Sequence, residues 1–549
     1  MLSKNRTVSS AAVLWLACAV LAASGADKRT VSSSQNPRVS PGAIAKSKPR
    51  RDAIRFRARV DAALADAHAN RVFWGVLVAD RDTGEVLYDL NADHFFMPAS
   101  NAKIFTTALV LATLGGSYQF HTTLESAAAP DPDGKLAGDL VFVGRGDPDL
   151  SNRKFPYQLK TERDGPAEKV LAELVDTAIS KGLKEVDGDI VADDSYLPYD
   201  PYPEGWSVGD LFFEFGAPVS AIAFNDNTIS VHVEPGAREA DPAILTVQPE
   251  VALATLSNQI TTAPPGGNPY FAVMRQPGPS FLLLQGTIPL GHVPADLDLA
   301  MTAPAETAAQ ALKQLLEQRG VRVTGVARVV HAPAPQTSDS SGYAPPPPPP
   351  MPSAAGSNPL VLADHVSPPL IESIRLTNKI SQNLHAELLL RDVAREKAGF
   401  GSTEAGLKIE QEFLKAAGVP DGDVMLYDGS GLARDDLVTP RAAVALLRYT
   451  AHQPWGDEFL STLPIAGVDG TLQTRMKQIS GPATLEAKTG SLEHARAMSG
   501  YATTERGEHL VFAIFGNNDT EHGHDATAAL DAIGVAMVQT LGPAGKKRK

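Results

Sequence analysis

Cysteine is all but missing. Cys18 is the single one in 549 residues, so the chain can build no internal disulfide, no Cys-ligated zinc site and no iron–sulfur cluster. Positive charge is also short: 49 Lys and Arg against 63 Asp and Glu leave a net charge of −14, which argues against a nucleic-acid partner, whose phosphates need a basic face. No H-E-x-x-H occurs, and His522-Gly523-His524-Asp525 reads as a polar loop before a helix. No metal and no cofactor are expected. The apolar run Ala11 to Ala23 falls short of the ~20 residues of a membrane-spanning helix, and no internal repeat is found. What the chain does have is a hydrophobic fraction of 43%, enough for a sizeable core, and a length that favours two to four domains at roughly 100 to 200 residues each.

Lys4 and Arg6 precede the short apolar run, and Ser24-Gly25-Ala26 places small residues where a signal peptidase cuts. Residues 1–26 therefore read as an export signal, and the protein as exported. The competing reading is a lipoprotein signal cut before Cys18, although Trp15 stands where an aliphatic residue would be expected. Residues 27–52 are polar and basic without sustained periodicity and are expected to form a flexible arm. Residues 542–549, ending Lys546-Lys547-Arg548-Lys549, form a basic tail. Both read first as solvated charge, with peripheral contact to anionic lipid or wall polymer as the alternative.

Phe73 to Ala79, the turn Asp82-Thr83-Gly84 and Glu85 to Tyr88 predict a hairpin, and Ile104 to Ala112 before Gly115-Gly116 a buried helix with a glycine stop. Residues 121–331 break into short strand patterns separated by Gly, Pro and Asp, with helices expected near 167–181 and 305–319. This is a β-rich insertion of two expected subdomains. Residues 332–359, with six prolines from Pro345 to Pro350, read as a linker or exposed loop. Helical periodicity returns from Pro369 to Lys397, then at 403–417 and 440–451. Strands at Ala497–Thr504 and His509–Gly516 and a helix from Asp525 to Leu541 close the chain.

Three short motifs carry the chemistry. Ser100-Asn101-Ala102-Lys103 is S-x-x-K at the mouth of the apolar helix, where a spacing of three puts the amine on the same face as the hydroxyl. A desolvated lysine loses its proton near neutral pH and can then activate a serine nucleophile. Ser151-Asn152-Arg153-Lys154 has the same pattern without an apolar run to bury its lysine, so Ser100 is the better nucleophile. Ser381-Gln382-Asn383 is S-x-N leading into a helix. Lys488-Thr489-Gly490 is K-T-G before the terminal strand pair, where an ammonium can meet a carboxylate and glycine allows close backbone approach. Each motif alone is weak, and S-x-N also occurs at Ser3 and Ser34.

In this order and context the three motifs resemble those of the penicillin-recognising serine acyltransferases. Asn378 to Glu387, Asp428-Gly429-Ser430-Gly431-Leu432, Gly467 to Leu472 and Gly216 to Ala221 are similar to the class C low-molecular-mass penicillin-binding proteins, the D-Ala-D-Ala carboxypeptidase/endopeptidase family S13. The likeness extends from about residue 55 to 541. It implies an α+β fold with an antiparallel sheet flanked by a helical cluster, built from 53–120 and 360–541, with the insertion between the first and second motifs. It also implies peptidoglycan stem peptides as substrate and β-lactams as covalent inhibitors. By residue, it implies Ser100 as nucleophile and Lys103 as its base. The backbone N–H groups of Ser100 and Ser491 would form the oxyanion hole, Ser381 a proton relay, and Asn383 a partner for the substrate amide. Lys488 and Thr489, beside Gly490, would bind the terminal carboxylate. Asp193 and Arg434 fall where the family contacts the diamino-acid side chain, with a turn carboxylate and a surface arginine as the plainer readings. A β-lactamase or esterase of the same fold, or a non-catalytic wall-binding protein, are the alternatives.

Overall fold

The computed structural model describes residues 50–66, 69–250, 255–275, 281–334, 354–356, 358–520 and 524–542. The expected export signal, the basic arm up to residue 49, the proline run and the tail beyond Gly542 lie outside the described residues. A helix begins already at Arg51, inside the expected arm, and Arg50 anchors it by bonding both Asp52 and Glu508.

A five-stranded antiparallel sheet organises the catalytic half, in the order Thr484–Leu492, Ala495–Thr503, His509–Asn517, Phe73–Asp80 and Val86–Leu90. The side-chain period of two divides each strand between two cores. Leu77, Ala79, Val511, Ala513 and Phe515 face a helical cluster. Trp74, Val76, Val78, Leu510, Phe512 and Ile514 face the terminal helices Arg51–Leu64 and His524–Thr540. Both faces are covered, which is why these strands read as nearly unbroken apolar runs.

The helical cluster holds the first two motifs. Its central helix, Lys103–Leu114, is buried along nearly its whole length. The expected continuous helix from Pro369 to Lys397 is two helices, Leu370–Ile380 and Asn383–Ala398. Ser381 interrupts them with φ +68°, a left-handed conformation that no α-helix accommodates. Gln382 then caps the second helix by accepting from Leu384 N at 3.0 Å.

The insertion leaves at His121 and returns at Val366. Its mixed sheet runs Ala327–Ala332, Ile190–Pro198, Leu140–Val143, His121–Ser126, Leu360–Val366, under helices Lys169–Ser180 and Pro304–Gln318. The strand Leu360–Val366 pairs with His121–Ser126 and so belongs to the insertion, moving the expected boundary at 360 to about Ser367. Three three-stranded sheets complete it, around Glu185–Asp187, around Thr228–Glu234 and around Phe281–Pro289. The two expected subdomains share one apolar core, since Ile229, Ile260 and Leu284 join the cluster of Leu140, Phe142 and Leu312. Among the described residues no helix is long and apolar enough to cross a membrane.

Candidate active site

Ser100 lies on a 3-10 turn, Ala99–Ala102, one turn before the α-helix that begins at Lys103. Ala99 takes φ +49°, a strained conformation for a residue with a Cβ. The side chain of Lys103 is fully buried, and its Nζ lies 2.9 Å from Ser100 Oγ, 2.6 Å from Asn383 Oδ1 and 2.6 Å from the Ser430 carbonyl oxygen. Burial lowers the Lys103 pKa to about 7, against the opposing fields of Asp428, Glu387 and Asp436. A neutral amine has two N–H donors and one lone pair. Asn383 and Ser430 occupy both donors, so the lone pair is left facing the Ser100 hydroxyl.

The loop that supplies the Ser430 carbonyl is wound around Asp428. Its carboxylate accepts from the backbone N–H groups of Ser430, Gly431, Leu432 and Ala433, at 3.1, 2.6, 2.9 and 2.8 Å. Gly431 is required there: its φ is +78°, and a Cβ would stand 2.0 Å from the Ala99 carbonyl oxygen.

Across the cleft, Ser381 Oγ lies 2.9 Å from Lys488 Nζ, which also donates to the Thr489 carbonyl at 2.8 Å. Lys488 is fully buried, and burial, reinforced by the nearby Lys103, holds its amine well below the usual lysine range. Lys488-Thr489-Gly490 sits inside the edge strand Thr484–Leu492 rather than ahead of the strands as expected. That strand is tied to the turn that carries Ser100 by Asn101, whose Nδ2 donates to the Lys488 carbonyl at 2.8 Å while its Oδ1 accepts from Ser499. Thr489 Oγ1 bonds Thr471 Oγ1 at 2.8 Å, so the Gly467–Leu472 segment orients the second residue of K-T-G.

These groups open on a cleft of about 530 Å³ whose walls include Ser100, Ser381, Asn383 and Ser491. Arg434 lines it too. Asp193 does not: it is 1% exposed, on the insertion strand Ile190–Pro198, and its carboxylate accepts from Ser195 N at 3.0 Å and Ala354 N at 2.8 Å. It pins the chain after the proline run onto the insertion's sheet, where Ala355 covers Val141, Val143 and Val191. The carboxylates that do line the cleft are Asp210 and Glu493, whose nearest oxygens lie 3.6 and 3.8 Å from Arg434 Nη2, with Arg496 and Phe215 beside them. Asp210 opens a short 3-10 turn of the insertion, Asp210–Phe212, where no spacing rule marks it. Ser151 is buried and structural: its Oγ donates to the Ala223 carbonyl and accepts from Asp226 N, while Lys154 is exposed. A cleft of about 500 Å³ between Pro166, Gln248 and Gln318 contains none of the motif residues.

Residues 56–341 and 351–537 match the D-Ala-D-Ala carboxypeptidase 3 (S13) family. The chain is 32% identical over 501 residues to a D-alanyl-D-alanine carboxypeptidase of Actinomadura sp. strain R39, covering 89% of this chain and 85% of that one. It is 27% identical over 451 residues to D-alanyl-D-alanine carboxypeptidase DacB of Haemophilus influenzae, covering 81% and 85%. The crystal structure of penicillin-binding protein 4 from H. influenzae superposes with a TM-score of 0.70 at 25% identity, over 87% of this chain and 98% of that one. Motif order, site geometry and similarity along most of its length agree: this chain belongs to the D-Ala-D-Ala carboxypeptidase 3 (S13) family of serine peptidases.

Proposed function

We propose that this serine DD-peptidase cleaves the D-Ala-D-Ala end of peptidoglycan stem peptides, or the cross-links made from it, through an acyl-enzyme on Ser100. The observation that carries the reading is the contact of Ser100 Oγ with a buried Lys103 amine at 2.9 Å, whose pKa is lowered to about 7. Lys103 takes the hydroxyl proton as Ser100 attacks the carbonyl of the penultimate D-alanine, and the Ser100 and Ser491 backbone N–H groups receive the oxyanion. Ser381, bonded to Lys488, passes a proton to the departing amine. The terminal carboxylate rests on Thr489 and Lys488, and Asn383 holds the substrate amide. Water attacking the acyl-enzyme returns Ser100. A β-lactam enters by the same attack and leaves the serine blocked. Labelling with a fluorescent penicillin and mapping the modified peptide tests this: the label is expected on Ser100 and absent from Ser100→Ala, whereas label on Ser151 would refute it. Rapid release of hydrolysed penicillin would instead favour the β-lactamase alternative.

The far end of the cleft is suited to a zwitterionic side chain. Asp210 and Glu493 offer carboxylates for an ammonium, and Arg434 a guanidinium for a carboxylate. Asp210 Oδ2 is buried without a hydrogen-bond partner among the described residues. These features support a diamino-acid contact at Asp210 with Arg434, in place of Asp193. Such contacts lie away from the scissile bond, and their binding energy positions the carbonyl over Ser100. Asp210→Asn is expected to lower kcat/KM for a diamino-acid-containing peptide by roughly 10- to 100-fold while leaving simple penicillin acylation nearly unchanged. Asp193→Asn should not separate the two substrates; equal peptide-specific losses in both variants would refute the assignment. Export to the cell envelope belongs to this reading through Lys4, Arg6 and the apolar run that follows.

A further inference from the structure

The insertion does more than flank the cleft. Between the strand Ile190–Pro198 and Gly216 it sends an irregular strap across the catalytic half, held at several points. The Asp200 carbonyl accepts from Arg391 at 2.7 Å, the Gly205 carbonyl from Arg434 N at 3.2 Å, and the Phe215 carbonyl from Asn383 Nδ2 at 2.7 Å. Besides the line through Phe215 and Asn383, a second line to the chemistry starts at Trp206, whose indole Nε1–H donates to Asp428 Oδ2 at 2.8 Å. Asp428 caps four consecutive backbone N–H groups, and the first residue of that turn, Ser430, gives its carbonyl to Lys103 Nζ at 2.6 Å. From Trp206 to the Ser100 hydroxyl the path is an unbroken chain of hydrogen bonds: indole, carboxylate, capped turn, carbonyl, amine, hydroxyl.

We propose that Trp206 is a positioning residue for the catalytic base: by donating to Asp428 it fixes the turn that aims Lys103 at Ser100, and it draws part of the Asp428 charge away from the lysine. This inference rests on the assignment of Ser100 and Lys103 above. A carboxylate with fewer donors presents a stronger negative field to its neighbours. The Lys103 amine also faces Glu387 from the helix Asn383–Ala398, Asp436 from the loop after Ser430, and Lys488 from the edge strand, while Asp428 is flanked by Glu387, Glu410 and Asp436. Trp206 therefore adds a neutral donor from the insertion to a crowded acidic cluster, and removing it strengthens the pull that keeps Lys103 protonated.

Trp206→Phe keeps the ring and deletes the N–H. The rate of penicillin acylation, followed against pH, is expected to show its acid limb moved up by about half a unit to one unit. That makes the variant about three- to tenfold slower below neutrality and close to wild type on the alkaline plateau. Asp428→Asn removes the charge itself and, if it folds, should move the limb the opposite way. A superimposable Trp206→Phe profile overturns the proposal, as does a lowered plateau with an unmoved limb, which is the mark of a merely structural tryptophan. Mapping the label in the wild-type protein separates this failure from the other: label anywhere but Ser100 would sink the functional assignment, whereas label on Ser100 with an unmoved limb sinks only the role of Trp206.

Discussion

Lys103→Met is expected to slow penicillin acylation of Ser100 by about 100- to 10,000-fold, the range lost when a general base is removed. Methionine keeps a stem of similar length in the buried channel and removes only the amine, so a folded protein with an intact cleft should result. The pH dependence of the wild type follows from the same geometry. The base works as the neutral amine, and burial brings its pKa to about 7. Acylation should therefore rise roughly tenfold per pH unit below 7 and level off above it, while Lys103→Met should show no such limb. If the variant retained the limb, the group titrating near neutrality would be another one. Glu387 and Glu410 are the carboxyls to examine, since burial lifts both to about 8. Stopped-flow or gel-based labelling across pH 5 to 9 makes the distinction.

The second large effect is expected at a residue with no side chain. A Cβ on Gly490 would lie 2.3 Å from the Pro98 carbonyl oxygen and 2.9 Å from Asn101 N. Both are backbone atoms of the nucleophile turn, so neither can swing aside. Gly490→Ala must push the strand Thr484–Leu492 away from Ser100 and open the space between the Ser100 and Ser491 backbone N–H groups, the proposed oxyanion donors. A misplacement of about 1 Å at such a site costs on the order of 100-fold, so acylation should fall at least that far. Asn101, which ties the same strand to the turn through the Lys488 carbonyl, gives the check: Asn101→Ala should reproduce the defect in milder form. Near-normal acylation by Gly490→Ala, with an unchanged melting temperature, would show that the strand and the turn are not in register as described.

The three motifs, the flanking helices and most strand positions were legible because each rests on short-range pattern. The period of two in Phe73 to Ala79, the apolar run behind Lys103 with its glycine stop, and the three-residue step from Ser100 to Lys103 are properties of a few neighbouring residues. The expected helix over Pro369 to Lys397 failed at one point for the same reason. Periodicity continues through Ser381, and only the turn that brings its hydroxyl to Lys488, with its left-handed backbone, reveals the break.

What the chain order and local chemistry of the sequence determined by themselves is the class of reaction: a serine beside a lysine that burial can neutralise, with a second serine and a second lysine following in a fixed order. What only the tertiary structure decided is the surroundings of that machinery. Lys103 is placed to act as a base because residues that bury it, and the carbonyl of Ser430 that accepts a hydrogen bond from its amine, come from segments hundreds of positions away. Asp193 and Asp210 are both acidic residues of the insertion, and nothing in the sequence around them says that one is spent on the Ala354 amide while the other faces Arg434 in the cleft. A carboxylate's role depends on what lies within about 4 Å of it in space, and for both of these residues that distance is bridged by the fold and not by the chain.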